Sequence, residues 1–190
     1  MTGEKTVKNM TAEEFELEIK KRQLKKKKSR IESGIAMIIG LLLGAGIIYG
    51  VLGIGFVKGN SMRPSYYNGD LILYRKCLYG ELDYGDVVVI RTESSGNVIK
   101  RIVGRPGDVI EIDEKGHLTR NGEQIEETEV KFGLQSGGTQ AGYPYTVPEG
   151  CYFYLGDNRP VSMDSRLLGA VEKEEIAGKV FGTLRLSTGR

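Results

Sequence analysis

The chain has 190 residues, with 27 Lys+Arg against 25 Asp+Glu, one histidine and two cysteines, enough for one ordinary domain with an appendage. The charge is unevenly placed: residues 1–57 carry 10 Lys+Arg and 6 Asp+Glu, the rest 17 and 19, so nucleic acid is excluded as the domain's partner, because phosphate binding needs clustered cations on the folded part. One histidine and two distant cysteines exclude a zinc centre, which needs three or four neighbouring ligands.

Residues 1–33 are highly charged and poor in large apolar groups, which predicts a basic tail too weakly apolar to order itself. Within it, Thr11 followed by Glu14 has the spacing of a capping box for a transient helix. The tail ends in the basic run Lys20 to Arg30. Residues 34–57 then carry no charge and are long enough to cross about 30 Å of hydrocarbon as a helix. This predicts a single transmembrane helix; a secretory signal has a shorter apolar region, of about 7 to 15 residues. The positive-inside rule keeps the basic flank in the cytoplasm and places residues 58–190 on the far side of the cell membrane.

From residue 58 the pattern changes to that of a sheet. Short β-branched and aromatic runs at 71–74, 86–90, 98–103, 108–112 and 151–155 are punctuated by Gly, Asn and Asp, which predicts a mainly β domain of antiparallel hairpins in a folded-over or barrel-like sheet. Residues 113–148 read as a polar, glycine-rich hairpin excursion with turns at Lys115–Gly116 and Asn121–Gly122. Residues 171–177 invite a short helical turn. Cys77 and Cys151 read either as a pair or as small buried hydrophobes.

A serine hydrolase needs a base, and the only histidine, His117, sits in what reads as an exposed hairpin tip, so a Ser-His-Asp triad is not expected. The alternative base is a lysine held neutral by burial. Lys100, in the apolar run Val98 to Val103, has that setting and shares a strand face with Val98 and Ile102, although a solvent-facing strand lysine has the same pattern. Ser61 lies between Gly59 and Pro64, where a turning chain exposes a hydroxyl and leaves backbone N–H groups for an oxyanion. A plain loop serine fits the same residues.

Three ordered segments resemble the boxes of type I signal peptidases: Gly59 to Pro64 (GNSMRP), Lys100 to Asp108 (KRIVGRPGD) and Gly156 to Arg166 (GDNRPVSMDSR). A fourth, Tyr84 to Val89 (YGDVVV), resembles the strand between the first two. Position by position, the resemblance implies that Ser61 is the nucleophile and Lys100 its general base. It makes Ser162 a serine orienting the lysine amine, Asp164 and Arg166 a bracing ion pair, and Gly156, Asp157 and Asn158 the start of the turn that presents them. It also implies Val57, Met62, Val98 and Ile99 as walls of the substrate pockets. Many relatives carry a serine two positions before the nucleophile; Gly59 here is similar to the Gram-positive branch and leaves the oxyanion mainly to the Ser61 N–H. The activity implied is removal of signal peptides from exported preproteins without metal or cofactor, with membrane lipid and the secretion translocon as surroundings. A catalytically silent relative, acting as a membrane chaperone or binding module, is the alternative; possession of both Ser61 and Lys100 counts against it. A self-cleaving Ser-Lys protease of the repressor type is a second, opposed by the apolar helix and the lack of a DNA-binding segment.

Overall fold

Helix α1 runs unbroken from Ala12 to Val51 in the computed structural model, which describes residues 12–76, 80–92, 96–127, 130–133 and 142–185. The chain divides into two units, Met1–Ile48 and Tyr49–Arg190. The helix departs from the expected boundaries at both ends. Residues 12–33 are helical rather than disordered because Ala, Glu, Lys, Arg and Leu are strong helix formers, because Glu18–Arg22 and Lys28–Glu32 pair at i,i+4 (3.7 and 3.9 Å), and because extending a formed helix avoids a second nucleation. The expected cap, Thr11, lies outside the described residues. At the other end the apolar run leaves the helix after Val51: Leu52, Ile54 and Phe56 alternate with Gly53 and Gly55 in strand β1 (Leu52–Phe56), a period of two that suits a sheet. The helical part of the apolar run is therefore Gly34–Val51, about 27 Å at 1.5 Å per residue. Its large side chains are exposed, and the helix is long and apolar enough to serve as a candidate membrane anchor.

The second unit is built on a seven-stranded antiparallel sheet. Its strands are β1, β2 (Leu71–Arg75), β3 (Val87–Thr92), β4 (Gly96–Gly104), β9 (Cys151–Leu155), β10 (Val171–Glu172) and β11 (Ile176–Leu184), in the order β1-β2-β11-β3-β4-β9-β10. The expected barrel-like closure is not formed. The edges are β1 and β10, and β10 is only two residues long, too short to close a ladder. A smaller sheet, ordered β7-β6-β5-β8, comprises β5 (Val109–Ile112), β6 (Leu118–Arg120), β7 (Glu123–Gln124) and β8 (Tyr145–Thr146). Asn121 and Gly122 make the two-residue turn between β6 and β7 with φ of 54° and 82°, the left-handed pair that a type I′ turn requires. The invited helical turn is a 3-10 turn at Lys173–Glu175.

Strand alternation decides which side chains meet. On β3, Val87 and Val89 enter one cluster with Val57, Met62, Ile72, Tyr74 and Ile99, while Val88 and Ile90 enter another with Ile102, Tyr152 and Tyr154. Covered on both faces, this strand is a continuous apolar run. A third cluster joins the two sheets, with Val103, Phe153 and Leu155 from the larger and Ile110 and Leu118 from the smaller. The Phe153 ring lies 5.2 Å from that of Tyr145. The cluster fixes the excursion to the strands that carry the chemistry.

Candidate active site

Strand β4 is paired with β3 over Gly96–Arg101, in a register that sets Val88 opposite Lys100. The side chain of Val88 is fully buried, and Lys100 itself is only 4% exposed. Its Nζ donates to Ser61 Oγ at 3.2 Å and to the backbone oxygen of Ile99 at 3.2 Å. Burial holds the amine below its ordinary pKa of 10.5, against the opposite pull of the Asp164 and Asp157 carboxylates. Desolvation wins because a buried ammonium has lost water that distant carboxylates do not replace.

Ser61 is brought to this amine by a loop tied at both ends. Val57 N donates to Asp70 O at 2.9 Å and Gly69 N to Val57 O at 2.9 Å, and Gly59, at φ 85°, donates its N–H to Asn68 Oδ1 at 3.0 Å. Met62, 1% exposed, plugs the core directly after the serine. On the other side, Asn158 N donates to Ser61 O at 2.9 Å and Asn158 Nδ2 to Asn60 O at 3.0 Å. The backbone N–H of Ser61 donates to no group among the described residues.

The third segment ends in a helical turn. Asp164 caps a one-turn helix, α2 (Ser165–Leu168), because an aspartate before Ser165 offers its carboxylate to the free N–H groups of a helix start. The expected ion pair forms nonetheless, and bidentately: Arg166 Nε and Nη2 donate to Asp164 at 2.8 and 3.0 Å, and both residues are buried. Asp164 also accepts from Gly156 N at 3.0 Å. Gly156 has no room for a side chain: a Cβ there would collide with Ser162 and stand 2.6 Å from Ser61 O.

Ser162 is fully buried against this point, yet its Oγ has no hydrogen-bond partner among the described residues. The expected contact with the lysine amine is thus not made. Since removing an unsatisfied buried hydroxyl costs no bond, Ser162→Ala should leave the thermal midpoint unchanged or slightly higher. A loss exceeding about 1 kcal/mol would show that the hydroxyl is bonded in the folded protein.

Of the expected pocket walls, Val98 lines a cavity of about 560 Å³ over Ser61 and Lys100, together with Tyr154 and Met163. Val57, Met62 and Ile99 instead pack together in the core cluster behind it. His117 sits in the β5–β6 turn, bonded to Asp113 at 2.8 Å and packed on Phe132. The expectation for Cys77 and Cys151 rests on Cys77, which lies outside the described residues.

Three supports escaped the sequence reading. Asp157, expected only as part of a turn, is buried and receives Arg101 Nε and Nη2 at 2.8 and 2.6 Å and Ser65 Oγ at 2.6 Å. Arg159, equally buried, pairs with Glu127 and donates to Gly156 O at 3.1 Å. Asn158 clamps the serine loop, as described above. Arg101, Asp157 and Arg159 stand in the motif-like segments, which was a usable signal. Nothing around Glu127 marks it.

A family model described as signal peptidase, peptidase S26, matches residues 30–184. Signal peptidase I T of Bacillus subtilis (strain 168) is 33% identical over 178 residues, covering 87% of this chain and 91% of its own. Signal peptidase I of Bacillus licheniformis is 35% identical, covering 76% and 80%. Signal peptidase IB of Staphylococcus aureus (strain Mu50) is 30% identical, covering 79% and 84%. The crystal structure of a signal peptidase I from Enterococcus faecalis V583 has 30% sequence identity and a TM-score of 0.44, covering 53% of this chain and 97% of that one.

Proposed function

The chain belongs to the signal peptidase family, peptidase S26, and from this we propose that it is a membrane-anchored endopeptidase that removes signal peptides from exported preproteins with a Ser61–Lys100 dyad. The observation that carries the reading is the buried Lys100 Nζ standing 3.2 Å from Ser61 Oγ. A neutral amine at that distance accepts the hydroxyl proton directly.

The steps follow from the positions of these atoms. Unprotonated Lys100 takes the proton of Ser61, and the oxygen attacks the scissile carbonyl to give a tetrahedral oxyanion. The backbone N–H of Ser61 is available to that oxyanion. Lys100 returns the proton to the leaving amine, so the peptide C–N bond breaks and the signal-peptide acyl group stays on Ser61. Water then attacks the ester, again giving up its proton to Lys100, and the free carboxylate leaves as Ser61 is restored. Met62 behind Ser61, and Asn158 against Asn60 and Ser61, keep the attacking oxygen in place, and fixed geometry of this kind lowers the barrier.

The substrate's residues before the bond lie as an added strand between the segment leading into Ser61 and Val98–Lys100, held by main-chain bonds. Val98 faces them directly; Val57, Met62 and Ile99 support the wall from the core. Helix α1 supplies the anchor, its basic residues on the cytoplasmic side and the sheets across the cell membrane near the secretion translocon, so that enzyme and signal peptide share one bilayer. Full-length protein in detergent should cleave a preprotein after a small residue, and Ser61→Ala should release no product. Cleavage at an unchanged rate by Ser61→Ala would refute the reading.

A further inference from the structure

Besides Lys100, the cavity over Ser61 is lined by two cations, Arg63 and Lys131, and by no carboxylate among the described residues. Around the same turn Arg101, Arg159 and Arg166 are each paired with a carboxylate. Arg63 and Lys131 have no such partner among the described residues, nor does the buried Nε of Arg63 have a hydrogen-bond partner among them.

The backbone fixes where Lys131 points. Lys131 and Asn158 form a parallel bridge, with Lys131 N donating to Asp157 O at 2.8 Å and Arg159 N to Lys131 O at 3.0 Å. Bridged residues send their side chains to the same face. The Asn158 amide reaches Asn60 O on that face, so the exposed Lys131 stem leaves toward the serine loop. Contacts run from Lys100 to Ser61, from Ser61 to Asn158 and from Asn158 to Lys131, and Val98 lines the same cavity.

On the proposed function, residues before the scissile bond occupy the Val98 side. Those after it leave across Ser61, past Asn158. We infer that Lys131, assisted by Arg63, is a specificity-determining residue that favours exported chains carrying Asp or Glu within the first few residues after the cleaved bond. The inference rests on the signal-peptidase reading. An exposed ion pair is worth roughly a two- to fivefold preference and weakens as salt rises.

The test uses full-length protein in detergent and two preproteins that differ only in Asp or Lys at the second residue after the cleavage site. The ratio of kcat/KM for Asp over Lys is taken within each enzyme, so any general loss of activity cancels. At low ionic strength the wild type should prefer Asp over Lys by about five- to tenfold, since attraction of Asp and repulsion of Lys both contribute, a ratio that shrinks in 1 M salt. Lys131→Glu should bring the ratio below one. A second pair, with the charge two residues before the bond, should not respond to Lys131→Glu; a response confined to this pair would overturn the assignment of sides. A ratio that is the same in wild type and Lys131→Glu, with both preproteins cleaved, overturns the specificity and leaves the peptidase reading standing. Failure of the wild type to cleave either preprotein refutes the peptidase reading, and this inference with it.

Discussion

Replacing Lys100 by Met or Arg abolishes preprotein cleavage, a loss of about 10³-fold or more, because general base catalysis by one positioned group contributes on that scale. Arginine fails although it keeps the charge, since a guanidinium does not deprotonate in a protein. The wild-type rate rises with pH through the depressed pKa of Lys100 and then levels, because only the neutral amine accepts a proton. A profile flat from mildly acidic to alkaline pH sinks the mechanism. The same burial has a thermodynamic sign. With the folded-state pKa below 10.5, the unfolded chain binds more protons across the interval between them, so stability rises with pH in that interval and the burial penalty is felt below it. Lys100→Met should therefore be inactive and, at neutral pH, more stable than the wild type by denaturant midpoint. An unfolding free energy lower by more than about 1 kcal/mol would show the amine to be well solvated in the folded state.

Asp164→Ala lowers stability by about 3 to 5 kcal/mol, the range for removing one partner of a buried ion pair. It strands the Arg166 guanidinium in a site closed to solvent and removes the acceptor for Gly156 N. The double variant Asp164→Ala/Arg166→Met removes both charges and should be less destabilised than Asp164→Ala alone, since an apolar replacement of the whole pair is often close to neutral. A double variant as unstable as the sum of its singles rules out a stranded charge as the cause. In the milder Asp164→Asn, Lys100 loses the carboxylate that most raises its pKa, so the acid limb of the rate profile moves to lower pH. A shift to higher pH contradicts the proposed electrostatics.

How much of this was legible in the residues depended on how local each signal is. The runs at 71–74, 98–103, 108–112 and 151–155 became β2, β4, β5 and β9 because alternation and turn residues act within a few positions. Strand β11, third in the larger sheet, was missed because Gly178, Lys179 and Gly182 interrupt its apolar pattern, and β1 was hidden in a run that reads equally as helix. The helix at 12–33 was misjudged by weighing burial alone, without the propensity of Glu, Lys and Leu. At the site, Ser61 and Lys100 are 39 residues apart and Arg101 and Asp157 are 56 apart. No pattern of periodicity predicts such pairs; resemblance located the first. Glu127 was illegible because an acidic residue in a polar stretch carries no mark of the arginine that will bury it.

Strand β4 sets Lys100 beside Arg101, one facing Ser61 and the next held by Asp157. Successive strand residues face opposite sides, so a one-residue slip exchanges them. Deleting a single residue between Gly96 and Lys100 would present the permanently charged Arg101 guanidinium to the serine, and inserting one would present the Ile99 side chain, which has no base, while every motif residue remained in the gene. This stretch tolerates substitution on its exposed positions but not a change of length, and an intact motif set in a variant of altered β4 length is no evidence of an active enzyme.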